Sequence, residues 1–177
     1  MTLGLTIRSL LAAQVGQQVA ALSEVLIDCV EGGASVSFMA PITRAKADQF
    51  WRGVGDRVAD GTTDLLVAEL DGVVTGTVQL VSAMPENQPH RADVAKMLVH
   101  RRARRRGVGR ALMQAVEELA RAKGKTLLVL DTVTGAAGEQ LYESMGWTPV
   151  GRVPGYALFP DGRPCDTTIF YKVIPPA

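Results

Sequence analysis

Cysteine and histidine are scarce in this chain, with two of each in 177 residues. Cys29 and Cys165 are isolated, and no cluster of His, Cys and Asp has the spacing of a metal site. No metal is therefore expected, and reduced thiols in a cytoplasmic protein are. Long hydrophobic runs are missing too. The longest apolar stretch is much shorter than the roughly 20 residues that cross a bilayer. The first stretch, MTLGLTIRSLLAAQ, has no charged leader before an apolar core and no clear cleavage site, so neither secretion nor a membrane partner is expected. There is no excess of one charge: 19 Lys and Arg against 18 Asp and Glu leave a net +1. That balance argues against a dedicated nucleic-acid protein. Aromatic residues make up only 5% of the chain and do not interleave with basic ones, so no stacking surface for a single strand is expected.

What is present is a packed core. Apolar residues make up 47% of the sequence, and the length suits one domain spanning residues 1–177. No repeat, low-complexity segment or linker interrupts it. A short strand is predicted at 6–10, and helical spacing of Val15, Val19, Leu22, Leu26 and Val30 predicts a helix over 12–30 ending at Gly32-Gly33. An apolar loop follows at 32–41, then a second helix over 43–59. Asp71-Gly72 between 65–70 and 73–81 is a two-residue hairpin signal. Pro85, Asn87 and Pro89 mark a loop over 82–91. A strand at 93–99, a helix at 108–123, a buried-type strand at 126–130, a helix at 136–145 and strands at 148–153 and 167–173 complete the pattern. A turn falls at 160–162. Hairpins first and a strand–helix–strand–helix unit after predict a mixed α/β (α+β) fold.

The most informative stretch is 94–112, VAKMLVHRRARRRGVGRAL. An apolar strand stops at Arg101, Arg102, Arg104, Arg105 and Arg106; Gly107 and Gly109 follow, and then a strongly helical sequence. A glycine-bearing turn that opens a helix aims several free N–H groups at one point, with the helix dipole behind them. That is an anion site suited to phosphate. A dinucleotide fingerprint would need a third glycine where Leu112 stands, and no Gly-Lys-Ser/Thr follows to make a P-loop.

Arg104-x-x-Gly107-x-Gly109, leading into Arg110-Ala-Leu-Met, resembles the acetyl-CoA signature of the GNAT N-acetyltransferase superfamily. Leu141-Tyr142-Glu-Ser-Met-Gly146-Trp147 resembles that superfamily's second motif, Leu-Tyr-x-x-x-Gly-aromatic. GlyGlyAlaSerVal at 32–36, and GlyTyr with ProAspGlyArg at 155–163, are similar to the tabtoxin-resistance acetyltransferase branch. The chain departs from the pattern at Gly135, where Asn is frequent, at Gly138, where Ala is usual, and at Arg101, where Pro is common.

The resemblance implies a mostly antiparallel sheet of about seven strands flanked by helices, with one splayed parallel pair. It implies acetyl-CoA as co-substrate, held by the strand edge at Met97, Leu98 and Val99 and by Arg104, Arg105, Arg106, Gly107, Val108, Gly109 and Arg110, the backbone amides of 105–110 cradling the pyrophosphate. The outer arginines either reach the cofactor's ribose phosphate or form a solvated face. Tyr142 is the implied proton donor, also close to the cofactor. A phenol near 10 facing a thiol near 8.5 makes that transfer uphill by about 2 kcal/mol, a small part of a catalytic barrier.

Asp131, at the end of strand 126–130, is the expected counter-ion or base for the amine, against the plainer reading of a helix cap. Asp93 and His90 are alternatives. Phe38, Met39, Trp51 and Tyr156 are candidates for the acceptor pocket. The acceptor expected is a small-molecule primary amine, an amino-acid-like toxin in the resistance branch, and a homodimer is common among relatives. The alternatives are a non-catalytic CoA-binding sensor or scaffold and, last, nucleic-acid binding through the arginine block.

Overall fold

A computed structural model describes residues 4–176. Among them, seven strands form one sheet flanked by four α-helices. In chain order these are β1 (Leu5–Leu10), α1 (Ala12–Glu31), α2 (Arg44–Ala59), β2 (Thr63–Leu70), β3 (Val73–Val81), β4 (Arg91–Val99), α3 (Val108–Ala122), β5 (Leu127–Val133), α4 (Ala137–Ser144), β6 (Thr148–Leu158) and β7 (Pro164–Val173). The strand order is β1-β2-β3-β4-β5-β7-β6, and only the β4–β5 pair is parallel. This is the mixed, mostly antiparallel sheet that the two motifs implied.

The predicted elements are all present, with boundaries that packing adjusts. The hairpin forms at Asp71-Gly72, both residues with positive φ (52° and 80°), the geometry of a type I′ turn. Thr43 caps α2, its hydroxyl accepting the Lys46 amide at 3.2 Å. Three strands exceed their predicted ranges the most: β5 continues to Val133, β6 runs to Leu158 and β7 begins at Pro164. Each is extended by its pairing with β7 or β6 rather than by its own composition.

Two cores lie on opposite faces of the sheet. Leu65, Val67, Val74 and Leu98 pack under α1 and α2 with Val15, Leu22, Leu26, Trp51 and Val54. Leu66, Ala68, Val78, Leu80, Leu128, Leu130 and Phe170 pack under α3 and α4 with Val108, Leu112, Val116 and Tyr142. The central strands are thus buried on both faces, which is why their apolar residues do not alternate with polar ones.

Close approach of α3 to the sheet depends on Gly76. A Cβ there would lie 2.9 Å from the Leu98 carbonyl, 3.0 Å from Leu112 Cδ1 and 3.1 Å from Val108 Cγ1. Two of these three neighbours, Val108 and Leu112, belong to the first turns of α3. We expect Gly76→Ala to destabilise the fold by about 1–3 kcal/mol, the cost of overpacking a tight core, measured by urea unfolding. An unchanged midpoint would show that α3 has room to move.

Candidate active site

The site begins where β4 and β5 separate. They pair in parallel over three residue pairs only, Arg91–Leu127, Ala92–Leu128 and Asp93–Val129. Beyond these, β4 runs to Val99 beside β3 and β5 runs to Val133 beside β7. The edges that face each other from Val94 and Leu130 onward have no strand partner. Unpaired N–H and C=O groups must find solvent or a ligand as partners.

A bulge in β4 shapes one wall of the gap. Thr77 faces Leu98 and Gln79 faces Ala95, so two steps of β3 match three of β4. Lys96 takes the extra place with φ of 49°, and the Thr77 hydroxyl donates to its carbonyl at 2.9 Å. One extra residue reverses the facing of everything after it. Ala92 and Val94 face α3 before the bulge; after it Met97 and Val99 pack on that side, while Leu98 joins the α1–α2 core.

At the open end of the gap lies the arginine–glycine turn. Arg105 (φ 56°) and Gly107 (φ 80°) carry the chain into α3. The amides of residues 105–110 donate no backbone or side-chain hydrogen bond among the described residues. A row of free amides at the start of a 15-residue helix forms an anion cradle. Gly109 lets this end pack tightly: a Cβ there would lie 3.2 Å from Leu141 Cδ2 of α4.

The arginines divide into two groups. Arg101 is tied to Asp28 of α1, its Nε at 2.9 Å and its amide at 2.7 Å from the carboxylate. Burial pushes the Asp28 carboxyl up, but the Arg101 bonds outweigh it and hold the group below its ordinary value. Arg102 pairs with Glu24 at 3.1 Å. The Arg104 Nε donates to the Val99 carbonyl at 3.2 Å, so its side chain braces the end of β4, and its amide bonds the Arg101 carbonyl at 3.3 Å. Arg110 reaches Ser144 of α4 at 2.7 Å. Arg105 and Arg106 are exposed and make no side-chain bond among the described residues.

Tyr142 lies across the gap on α4, 6% exposed, with its ring 6.1 Å from Trp147 and 6.0 Å from Phe170. Burial, and less strongly the Asp131 charge, pushes its hydroxyl well above the ordinary phenol value. Among the described residues that hydroxyl has no hydrogen-bond partner. The end of α4 is fixed by Glu117 of α3, which accepts from Trp147 Nε1 at 2.8 Å and Lys172 Nζ at 2.7 Å; Lys172 also bonds the Met145 carbonyl at 2.7 Å. The sequence reading missed this clamp, because its members are distant in the chain. Gly138 explains its own departure from the usual Ala: a Cβ would lie 3.0 Å from Thr132 Oγ1 and 3.4 Å from the Tyr142 ring.

Asp131 is exposed on β5, two residues past the last β4–β5 pair, and Lys96 and Tyr142 both respond to its charge. It does not end its strand, which continues for two residues. The alternatives Asp93 and His90 belong to the closed end. Asp93 sits in the last parallel pair with its carboxylate on Arg91, and His90 is exposed ahead of β4. Trp51 is a correction: it is 0% exposed and belongs to the core under α2, so it cannot line an acceptor pocket. Phe38 stacks edge-on against Phe50 at 5.2 Å in the α1–α2 loop, and Met39 and Tyr156 are exposed.

The GNAT acetyltransferase family model matches residues 34–147, both motifs included. The chain belongs to the GNAT acetyltransferase family. An uncharacterized N-acetyltransferase from the hisH–hisA intergenic region of Azospirillum brasilense is 38% identical over 109 residues, 59% of this GNAT chain and 61% of that protein. N-acetylaspartate synthetase of Rattus norvegicus is 33% identical over 93 residues, 52% of this chain and 30% of the synthetase. The chain therefore spans less than two thirds of either relative. A Salmonella typhimurium acetyltransferase structure with its cofactor acetyl-CoA superposes with a TM-score of 0.79 over 97% of this chain and 94% of that one, at 24% identity, which shows the shared GNAT fold.

We expect Gly107→Asp to weaken CoA binding by about tenfold or more, because a carboxylate would oppose the phosphates in the cradle. Aspartate tolerates positive φ better than most residues, so folding should survive. Calorimetric titration with CoA, beside a melting curve, checks both; unweakened binding would place the phosphates elsewhere.

Proposed function

We propose that this GNAT domain transfers the acetyl group of acetyl-CoA to the primary amine of a small molecule. The observation that carries the reading is one continuous arrangement: an unpaired strand edge, a row of free amides at its open end, and a buried tyrosine across the gap. The free amides of 105–110 suit a pyrophosphate, and Gly107 and Gly109 leave room for it. The open edge of β4 suits a ligand with amides of its own, which would complete the broken pairing as a strand does.

Acetyl-CoA supplies an activated acetyl thioester. An N–H of the β4 edge polarises its carbonyl, and such a donor contributes roughly 3 kcal/mol in acyl-transfer sites. The amine attacks the carbonyl carbon, the C–S bond breaks as Tyr142 donates to the departing sulfur, and the proton shed by the new amide nitrogen passes through solvent to the thiolate. The raised Tyr142 hydroxyl makes complete proton transfer harder than for an ordinary phenol. Tyr142 therefore acts first as a hydrogen-bond donor to the developing thiolate, whose own proton affinity rises in the same dry surroundings. Asp131, exposed at the mouth, holds the incoming ammonium, which gives up its proton to solvent before attack.

An amino-acid-like acceptor, including a toxin of that shape, fits this reading. The rat relative's name specifies an N-acetylated amino acid. The two segments similar to the tabtoxin-resistance branch also meet in space: the Ser35 hydroxyl donates to the Leu158 carbonyl at 2.7 Å. The free, buried Cys29 and Cys165 suit a cytoplasmic enzyme.

A homodimer through β6 belongs to the same proposal. β6 is an 11-residue edge strand, and Val150, Val153, Tyr156 and Leu158 are exposed on it. A long edge with apolar side chains seeks a partner. Light scattering should give twice the 18.9 kDa chain mass, and Val150→Lys should shift it toward monomer; a wild-type monomer at micromolar concentration would reject the dimer.

Thiol release from acetyl-CoA over a panel of amines tests the central reading. Tyr142→Phe should lower kcat by about tenfold or more, the usual share of a positioned acid. Since the folded hydroxyl titrates above its ordinary value near 10, wild-type activity should show no loss from Tyr142 ionisation below that pH. Tight CoA binding with no acetylated amine would favour the sensor. Unchanged turnover in Tyr142→Phe would remove it from the chemistry.

A further inference from the structure

Lys96 is the extra residue of the β4 bulge, and its side chain has no role in the chemistry above. A residue other than glycine with φ of 49° is strained, so the fold imposes this conformation. The result is a half-buried ammonium on the α1–α2 side of the gap. Its Nζ donates to the Ser37 hydroxyl at 3.0 Å and lies 5.9 Å from the centre of the Phe50 ring. Among the described residues no carboxylate comes within 4.0 Å of it. The charged groups around it are Asp131, across the gap on β5, and Arg57 on α2. Burial lowers the Lys96 proton affinity, Asp131 restores part of it, and Arg57 lowers it further. A partly buried ammonium with one hydroxyl partner and no carboxylate in contact is poorly compensated by this protein alone.

The sheet register places Asp131 and Lys96 on opposite lips of one opening. Asp93 faces Val129 in the last parallel pair, so Asp131 comes level with Ala95, the residue before Lys96. The lips therefore carry one negative and one positive group on the side where the α1–α2 loop meets the β6–β7 turn. A compact zwitterion matches this pattern: an ammonium toward Asp131 and an anion toward Lys96.

We infer that Lys96 recognises the carboxylate of the acceptor, so that the site selects amines bearing an acidic group close to the amino group. This rests on the acetyltransfer reading and specifies its substrate class. The bulge thereby serves two purposes: it frees the β4 edge and turns a cation toward the acceptor.

The test compares the standard L-amino acids with their carboxamides as acceptors. Acids should exceed amides in kcat/KM by about tenfold or more, the scale of a charge-assisted hydrogen bond in a sheltered site. Lys96→Gln should bring the acid-to-amide ratio toward one by raising KM for the acids, and Lys96→Arg should restore part of it. Equal use of acids and amides by the wild type, or a preference that survives Lys96→Gln, would overturn the inference while leaving acetyltransfer intact. A second measurement needs no turnover: calorimetric titration with N-acetyl-L-alanine and with its methylamide, with and without CoA. Binding of the acid over the amide, lost in Lys96→Gln, supports the assignment even if no amine is acetylated. Equal binding, or no binding of the acid, overturns it.

Discussion

The structure depends on how little β4 and β5 hold each other. Three residue pairs join them, after which each strand keeps only its outer neighbour. A sheet left open in its middle must be held together by other means, and the helices supply them. α1 and α2 cover one face, α3 and α4 the other, and each pair packs on apolar residues from strands on the β1 side of the opening or on both sides of it. The unpaired edges are tolerated because residues along them, 95–97 on β4 and 131–132 on β5, are not buried, so solvent or a ligand meets their backbone groups.

The other site features follow from keeping that opening in shape. The bulge at Lys96 bends β4 and reverses the facing of its last residues, so Leu98 anchors the strand under α1 while Met97 and Val99 reach α3. Gly76 and Gly109 let α3 settle against the sheet and α4, which brings its free amides to the open end of the gap. Glu117 ties α3 to Trp147 and Lys172, fixing the end of α4 and so the depth of Tyr142. The free amides of the α3 start, the open strand edge and Tyr142 are therefore parts of one packing arrangement.

The arginine block shows how a sequence signal divides on folding. Five arginines in six residues read as one basic patch. In three dimensions Arg101 and Arg102 serve as ion-pair partners of Asp28 and Glu24, and Arg104 braces the Val99 carbonyl. Arg105 and Arg106 alone remain exposed without a bonded partner among the described residues. Composition cannot separate these roles, because each depends on which acid or carbonyl the neighbouring elements present. Trp51 is a similar case: an aromatic suited to a binding pocket is buried because α2 turns that face toward the sheet.

The sequence by itself determined the elements and the two motifs. Helical spacing, the Asp71-Gly72 turn, the Gly107-x-Gly109 helix start and the Leu141-Tyr142…Gly146-Trp147 segment are local patterns, and local physics fixes what they form. Strand ends at Val133, Leu158 and Pro164 were not legible, since ladder partners distant in the chain extend them. Nor was the bulge: nothing in AlaLysMetLeu announces that Lys96 will turn out of register, because that follows from matching β4 to β3. Only the tertiary structure decided that β4 and β5 part after Asp93, that Asp131 and Lys96 face each other across the gap, and that Tyr142 is buried beside it. These are relations between segments that share no sequence neighbourhood, and the packing of helices on both faces of an incomplete sheet creates them.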